Sequence, residues 1–135
     1  MVRQLIYIST ASPGFQEAEM PAILSVSRRN NALRRISGLL MFDGRRFLQA
    51  LEGAPAALET ALETIRADPR HRAIVVLKDR TVPATEFGGW AMAAHRFDQT
   101  TDDLVAAVEN SVRNVTDVNV AAQFLQFARR DRVAA

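Results

Sequence analysis

SRRNNALRRISGLLMFDGRRFLQALEG, residues Ser27 to Gly53, is the stretch whose reading decides the fold. It reads as the end of a helix followed by two strands joined at Asp43-Gly44, a dipeptide that favours a tight hairpin turn. The first strand, Ile36 to Phe42, is almost wholly apolar, so both of its faces are expected to be covered. The second strand alternates. Phe47, Gln49 and Leu51 share one face, and Leu48, Ala50 and Glu52 share the other. Gln49 is thus an amide between large apolar neighbours, where a missing hydrogen bond costs about 1–3 kcal/mol. On the preceding helix, read as ending near Asn31, residues Met20, Ile23, Leu24, Ser27 and Asn31 fall on one face at helical spacing. That face begins apolar and turns polar, which points to a polar guest.

Outward from this stretch, Gln4 to Ser9 is read as a first strand, with Leu5, Tyr7 and Ser9 facing one way and Ile6 and Ile8 the other. Ser12-Pro13-Gly14 marks a loop, and a helix follows from about Glu17 to Asn31. After the hairpin, Gly53-Ala54-Pro55 opens a second helix with the stripe Leu58, Ala61, Leu62 and Ile65, ended by Asp68-Pro69. Arg72 to Val82 carries the run AIVVL and reads as a buried strand, and Trp90 to Phe97 reads as a last one. The order predicts an α+β fold, ferredoxin-like β-α-β-β-α-β plus a fifth strand, with two helices on one face of a single mixed sheet. From Thr100 onward the pattern turns helical, with a break near Asn114 to Asp117. These two short helices are expected to cover the other face.

At 135 residues the chain is long enough for a core without covalent staples, and 48% hydrophobic with 24% charged residues is ordinary for a globular domain. The absence of Cys excludes disulfides, thiolate metal sites and cysteine nucleophiles. With His71 and His95 the only imidazoles, no metal site is expected. MVRQLIYIST lacks the features of a signal peptide and no run approaches a membrane span, so the cytoplasm is the expected location. The pI of 9.9 accompanies a net charge of only +2, with Lys78 the single lysine among 17 basic residues. The Arg pairs 28/29, 34/35, 45/46 and 129/130 raise a nucleic-acid-binding alternative, against a plainer reading as scattered solvated arginines.

Tyr7, Ser27, Asn30, Asn31 and Gln49 include no carboxylate pair and no activated nucleophile, so they suit recognition better than hydrolysis. Amides offer both a donor and an acceptor, which matches a flat heteroaromatic ring edged by C=O and N–H groups. The plainer reading of Asn30 and Asn31 is that they close the helix. An acylphosphatase-like hydrolase on the same fold would need a phosphate cradle after the first strand, for which TASPGFQ (10–16) is a poor candidate.

LIYIS (5–9), SRRNN (27–31), ISGLLMFDGRRFLQALEG (36–53), DPRH (68–71) and WAM (90–92), in this order and spacing, resemble the BLUF domain family of flavin-using blue-light sensors. The resemblance implies a non-enzymatic photoreceptor core over residues 1–97 and a helical extension over 98–135 that packs on the sheet. It implies FAD, or alternatively FMN, held without a covalent bond between the two helices. Tyr7 then corresponds to the electron and proton donor, Gln49 to the rearranging amide, and Asn31 to the residue holding the C4=O/N3–H edge. Ser27 and Asn30 correspond to positions lining the pocket, and Trp90 and Met92 to the switch pair on the last strand. Plain core packing is the other reading of Trp90 and Met92, and His71 is read as ordering the loop after Pro69, with contact to the ligand as its alternative. Thr64 departs from relatives that carry Arg or His near the flavin tail. The implied output is a reversible red-shifted state passed to a separate effector protein or through a homo-oligomer, with no membrane partner.

Overall fold

The computed structural model describes residues 1–88, 93–96 and 101–129. In order, the elements are β1 (Val2–Ala11), a 3-10 turn (Glu17–Glu19), α1 (Met20–Arg34), β2 (Ser37–Phe42), β3 (Arg46–Gly53), α2 (Pro55–Ala67), β4 (His71–Val82), β5 (Ala93–Arg96), α3 (Thr101–Ser111) and α4 (Val118–Arg129). The strands form one sheet in the order β4-β1-β3-β2-β5. All pairs among β1 to β4 are antiparallel, and β5 runs parallel to β2. This is the ferredoxin-like arrangement with a short added strand.

Local chemistry sets each boundary. Glu19 Oε2 accepts the Gln16 N–H at 2.8 Å and fixes the entry to α1. At the hairpin, Asp43 Oδ1 accepts the N–H groups of Arg45 at 2.9 Å and Arg46 at 2.7 Å, while Gly44 takes φ +94°. Pro55 sits in the first turn of α2 as expected. Gly53 must be small, since a Cβ there would lie 3.1 Å from Leu58 Cδ1 and 3.2 Å from Ile36 Cγ1.

The alternation along β1 and β3 divides the core in two. Leu5, Leu24, Leu40, Phe47, Leu51 and Leu58 pack on the α1/α2 side. Ile6, Leu39, Leu48 and Ala50 pack on the other side, beneath Val108, Phe124 and Phe127 of α3 and α4. Phe124 and Phe127 are both buried and cover the sheet, the face these two helices are expected to take.

Two expectations need correction. Helix α1 does not end at Asn31 but runs one turn further to Arg34, and Arg35 takes the left-handed conformation at φ 55°. The Asn31 carbonyl accepts the Ile36 N–H at 2.8 Å, so its backbone closes the helix while its side chain remains on the buried face. The second concerns β4, which was expected to be buried. It is one of the sheet's two edge strands, with Val75 53% and Val76 37% exposed. Register breaks opposite Ile6/Tyr7 and Ile8/Thr10, with Ala73 at φ 55°, turn this strand out of phase with its neighbour. An apolar run does not reveal whether a strand has one neighbour or two. The breaks and the flanking charges of Arg72, Lys78 and Asp79 also blunt the open edge.

Candidate functional site

The site is built on one row of side chains across the sheet. Tyr7 lies opposite Gln49, and Gln49 lies opposite Leu40, all on the α1/α2 face. These residues form the floor of a cavity of about 210 Å³ roofed by α1 and α2. Ser27, Asn30 and Asn31 line it from α1, and Ala61, Thr64 and Ile65 line it from α2. All five ring-contact residues expected from the sequence therefore meet in one space, although they come from three elements. Trp90 and Met92 lie outside the described residues.

The Tyr7 hydroxyl donates a hydrogen bond to Gln49 Oε1. With its oxygen engaged, the remaining polar atom of that amide, Nε2, can only donate. Tyr7 is 5% and Gln49 7% exposed, so both polar groups are shielded from solvent. Burial holds the Tyr7 phenol well above its ordinary value, and the nearby negative charge of Asp68 pushes the same way. The hydroxyl is therefore a neutral donor at any physiological pH.

Three further charged residues, Arg34, Asp68 and Arg70, line the cavity that residue-by-residue reading did not place there, and His71 lines it as well. Asp68 and Arg70 form a two-point ion pair, with Nη2–Oδ2 at 2.7 Å and Nε–Oδ1 at 2.9 Å. Arg70, chiefly through these side-chain hydrogen bonds, keeps Asp68 below the usual carboxylate range. His71 hydrogen-bonds through both ring nitrogens. Its Nε2 meets the Ile65 carbonyl at 2.6 Å, so it must be the protonated nitrogen, and Nδ1 lies 2.7 Å from Ser9 Oγ. The imidazole thereby ties the end of α2 to β1, with its ring edge-on to Tyr7 and Phe47. The available signal was the Asp-Pro turn after α2, which returns the chain to the end of β1 beside Tyr7.

The two alternative readings find little support in this geometry. After β1, Ser12 donates its N–H to the Arg70 carbonyl at 2.9 Å and its Oγ to the Pro69 carbonyl at 2.6 Å, so the loop is tied to the protein itself. Arg34/Arg35 and Arg45/Arg46 lie at opposite ends of β2, on the order of 20 Å apart, rather than in one patch.

A planar ring with alternating carbonyl and N–H groups fits this donor set. Tyr7, Gln49 and Asn31 supply fixed donors and acceptors, and Leu40, Phe47 and Ile65 supply apolar walls. Fold and cavity together define a binding module for a flat polar ring. Residues 2–93 match the family described as "BLUF: Sensors of blue-light using FAD", and the chain belongs to that family. Its domain is a flavin-based photosensor rather than a catalyst.

Among its relatives, the blue light- and temperature-regulated antirepressor BluF of Escherichia coli (strain K12) is 30% identical over 132 residues, covering 96% of this chain and 32% of that protein. The photoactivated adenylate cyclase subunit beta of Euglena longa is 34% identical over 85 residues, covering 59% of this chain and 10% of that one. Among solved structures, Klebsiella pneumoniae BlrP1 with FMN and cyclic diGMP is 31% identical with a TM-score of 0.81, covering 95% of this chain and 34% of that chain. The chain thus spans between a tenth and about a third of the length of these three proteins. Among the described residues no helix is long and apolar enough to cross a membrane.

Proposed function

We propose that this chain senses blue light through a photocycle carried by Tyr7 and Gln49, with a flavin seated between α1 and α2. The observation that carries the reading is the buried hydrogen bond from the Tyr7 hydroxyl to Gln49 Oε1 inside a cavity also lined by Asn31. A bound flavin supplies the light absorption and an excited state able to take an electron. Tyr7 would supply one electron and its phenolic proton to that excited flavin and would recover both when the cycle closes. Its elevated pKa keeps the proton in place until then.

Gln49 is the group left changed. While Tyr7 donates to its oxygen, its Nε2 is turned to other partners; once the phenol bond is broken and remade, the amide is rotated, tautomerised or both. Either change alters the hydrogen bonding offered to the C4=O edge and produces a reversible red shift. Asn31 would hold the C4=O/N3–H edge, and Ser27 and Asn30 would complete the wall. Arg34 provides positive charge for the phosphoryl tail, a role that Thr64 cannot fill and that Arg70, already paired with Asp68, fills less well. FAD is the favoured flavin, with FMN the alternative.

The signal passes from residues 1–97 through Trp90, Met92 and the helices of 98–135 to a separate cytoplasmic effector or a homo-oligomer. The antirepressor and cyclase relatives illustrate outputs a sensor of this family can drive. Absorption spectra of the flavin-loaded protein before and after blue light test the reading. The expected result is a small, recovering red shift that is abolished in Tyr7→Phe and Gln49→Leu. A flavin-loaded protein whose spectrum is unmoved by light refutes the photocycle.

A further inference from the structure

The cavity accounts for Tyr7, Asn31 and Gln49 but leaves a second set of buried polar groups unexplained. On the α3/α4 side of the sheet, Glu52 and Gln4 are both 0% exposed and Glu86 is 7% exposed. A carboxylate survives in such a place only when its oxygens are occupied. Glu52 accepts the backbone N–H of Glu86 on both oxygens, at 2.9 and 3.0 Å, and that of Phe87 at 2.9 Å. Gln4 Nε2 donates to Glu52 Oε2 and to Glu86 Oε1, each at 3.0 Å. Arg80 Nε donates to Gln4 Oε1 at 2.7 Å, and its Nη2 to Glu86 Oε1 at 2.7 Å.

The chain of bonds continues outward. Glu86 accepts the Thr116 hydroxyl at 2.7 Å and the Thr116 N–H at 3.3 Å. The next residue, Asp117, pairs with Lys78 at 2.9 Å and caps α4 by accepting the N–H groups of Asn119 and Val120. One connected set thus joins β3, β1, β4, the segment after β4 and the turn between α3 and α4. Covering this face needs only apolar contacts, and a buried ionic set adds little net stability over them. What such a set does add is a defined geometry, because each member is bonded on several sides.

We propose that Glu52 and Glu86 are positioning residues that couple the cavity strand to the α3–α4 turn. This rests on the photoreceptor reading. Gln49 and Glu52 share β3, so a shift of that strand when the Gln49 hydrogen bonds change displaces the carboxylate three residues on. The displacement reaches Thr116 and the cap of α4 without using residues 89–92. The bistable element is the Glu86–Thr116 contact, made in one state and loosened in the other.

The test uses the full chain loaded with FAD, unsubstituted and as Thr116→Val, Thr116→Ser and Glu86→Gln. Amide hydrogen exchange over residues 112–121 is measured in the dark and under blue light, with the absorption shift recorded on the same samples. The unsubstituted protein is expected to show a light-minus-dark difference there. Thr116→Val and Glu86→Gln should cut that difference by about fivefold or more with the red shift intact, and Thr116→Ser should restore it. A purely structural role would raise exchange in dark and light alike and spare the difference. A full difference in Thr116→Val, or no difference in the unsubstituted protein with its red shift present, overturns the coupling. Absence of the red shift in the unsubstituted protein overturns both this proposal and the photocycle beneath it.

Discussion

Gln49 and Glu52 stand three residues apart on β3, point to opposite faces of the sheet, and meet contrasting surroundings. On the α1/α2 face, the amides of Asn31 and Gln49 border a cavity, and the core of that layer is incomplete around them. On the α3/α4 face, the carboxylate is saturated by Gln4 and two backbone N–H groups, and Phe87 and Phe124 pack on each other in the same layer with ring centroids 5.1 Å apart. The first face arranges polar groups toward a space, and the second uses up its polar groups internally. The contrast teaches where a ligand and where a mechanical output belong. Only the first face can gain stability by binding a small molecule, and only the second has its polar bonds poised to be redistributed.

The largest expected effect breaks the second face without touching the first. Phe124 is fully buried against Phe87, so Phe124→Ala should lower stability by about 3–5 kcal/mol. Denaturant unfolding checks this, and flavin affinity of the surviving folded fraction should stay near that of the parent. The reverse experiment is Asn31→Ala. Loss of a ring-edge hydrogen bond should weaken flavin binding by about ten- to a hundredfold while costing less stability than Phe124→Ala. Fluorescence titration with FAD measures it. If Phe124→Ala weakens flavin binding as much as Asn31→Ala does, the two faces are not separable in the way described.

The period-two alternation of β3 made the two faces legible in the sequence, and it placed Gln49 inward and Phe47 and Leu51 beside it. The helical spacing of Ser27 and Asn31 did the same for the roof, even though the end of α1 was set one turn early; nothing in Ala32-Leu33-Arg34 signals a stop, and Arg35 adopts the left-handed cap without the usual glycine. The exposed edge of β4 was not legible, since exposure depends on sheet order and not on the AIVVL run itself. Glu52 was placed on the correct face but its partners could not be read. They come from residues 4, 86 and 87, and hydrogen bonds between distant segments leave no periodic trace. An acidic residue in phase with Leu48 and Ala50 was nonetheless a visible warning of a buried carboxylate in need of partners.

The smallest expected effect sharpens the contrast through pH, because each face holds an ionisable group moved in the opposite direction. Tyr7, raised by burial and then by Asp68, contributes its full stability below the ordinary phenol value of about 10 and loses it as pH rises beyond that. Burial alone would raise Glu86, but hydrogen bonds from Thr116 and Gln4 and the charge of Arg80 outweigh it and leave the carboxyl below its usual range. Its contribution is therefore present above about pH 4.3 and is lost as pH falls through the lowered value. Asp68 and Asp79, held low by Arg70 and Arg3, steepen the same acid limb. No single group can change the slope by more than about 1.4 kcal/mol per pH unit, so the variants must be compared as differences. Tyr7→Phe should flatten the alkaline limb of stability against pH and leave the acid limb unchanged, and Glu86→Gln should do the reverse. Chemical denaturation at a series of pH values, followed by far-UV circular dichroism, measures both limbs. An alkaline limb that survives Tyr7→Phe would assign it to some other group and remove the phenol's burial from the account of the cavity.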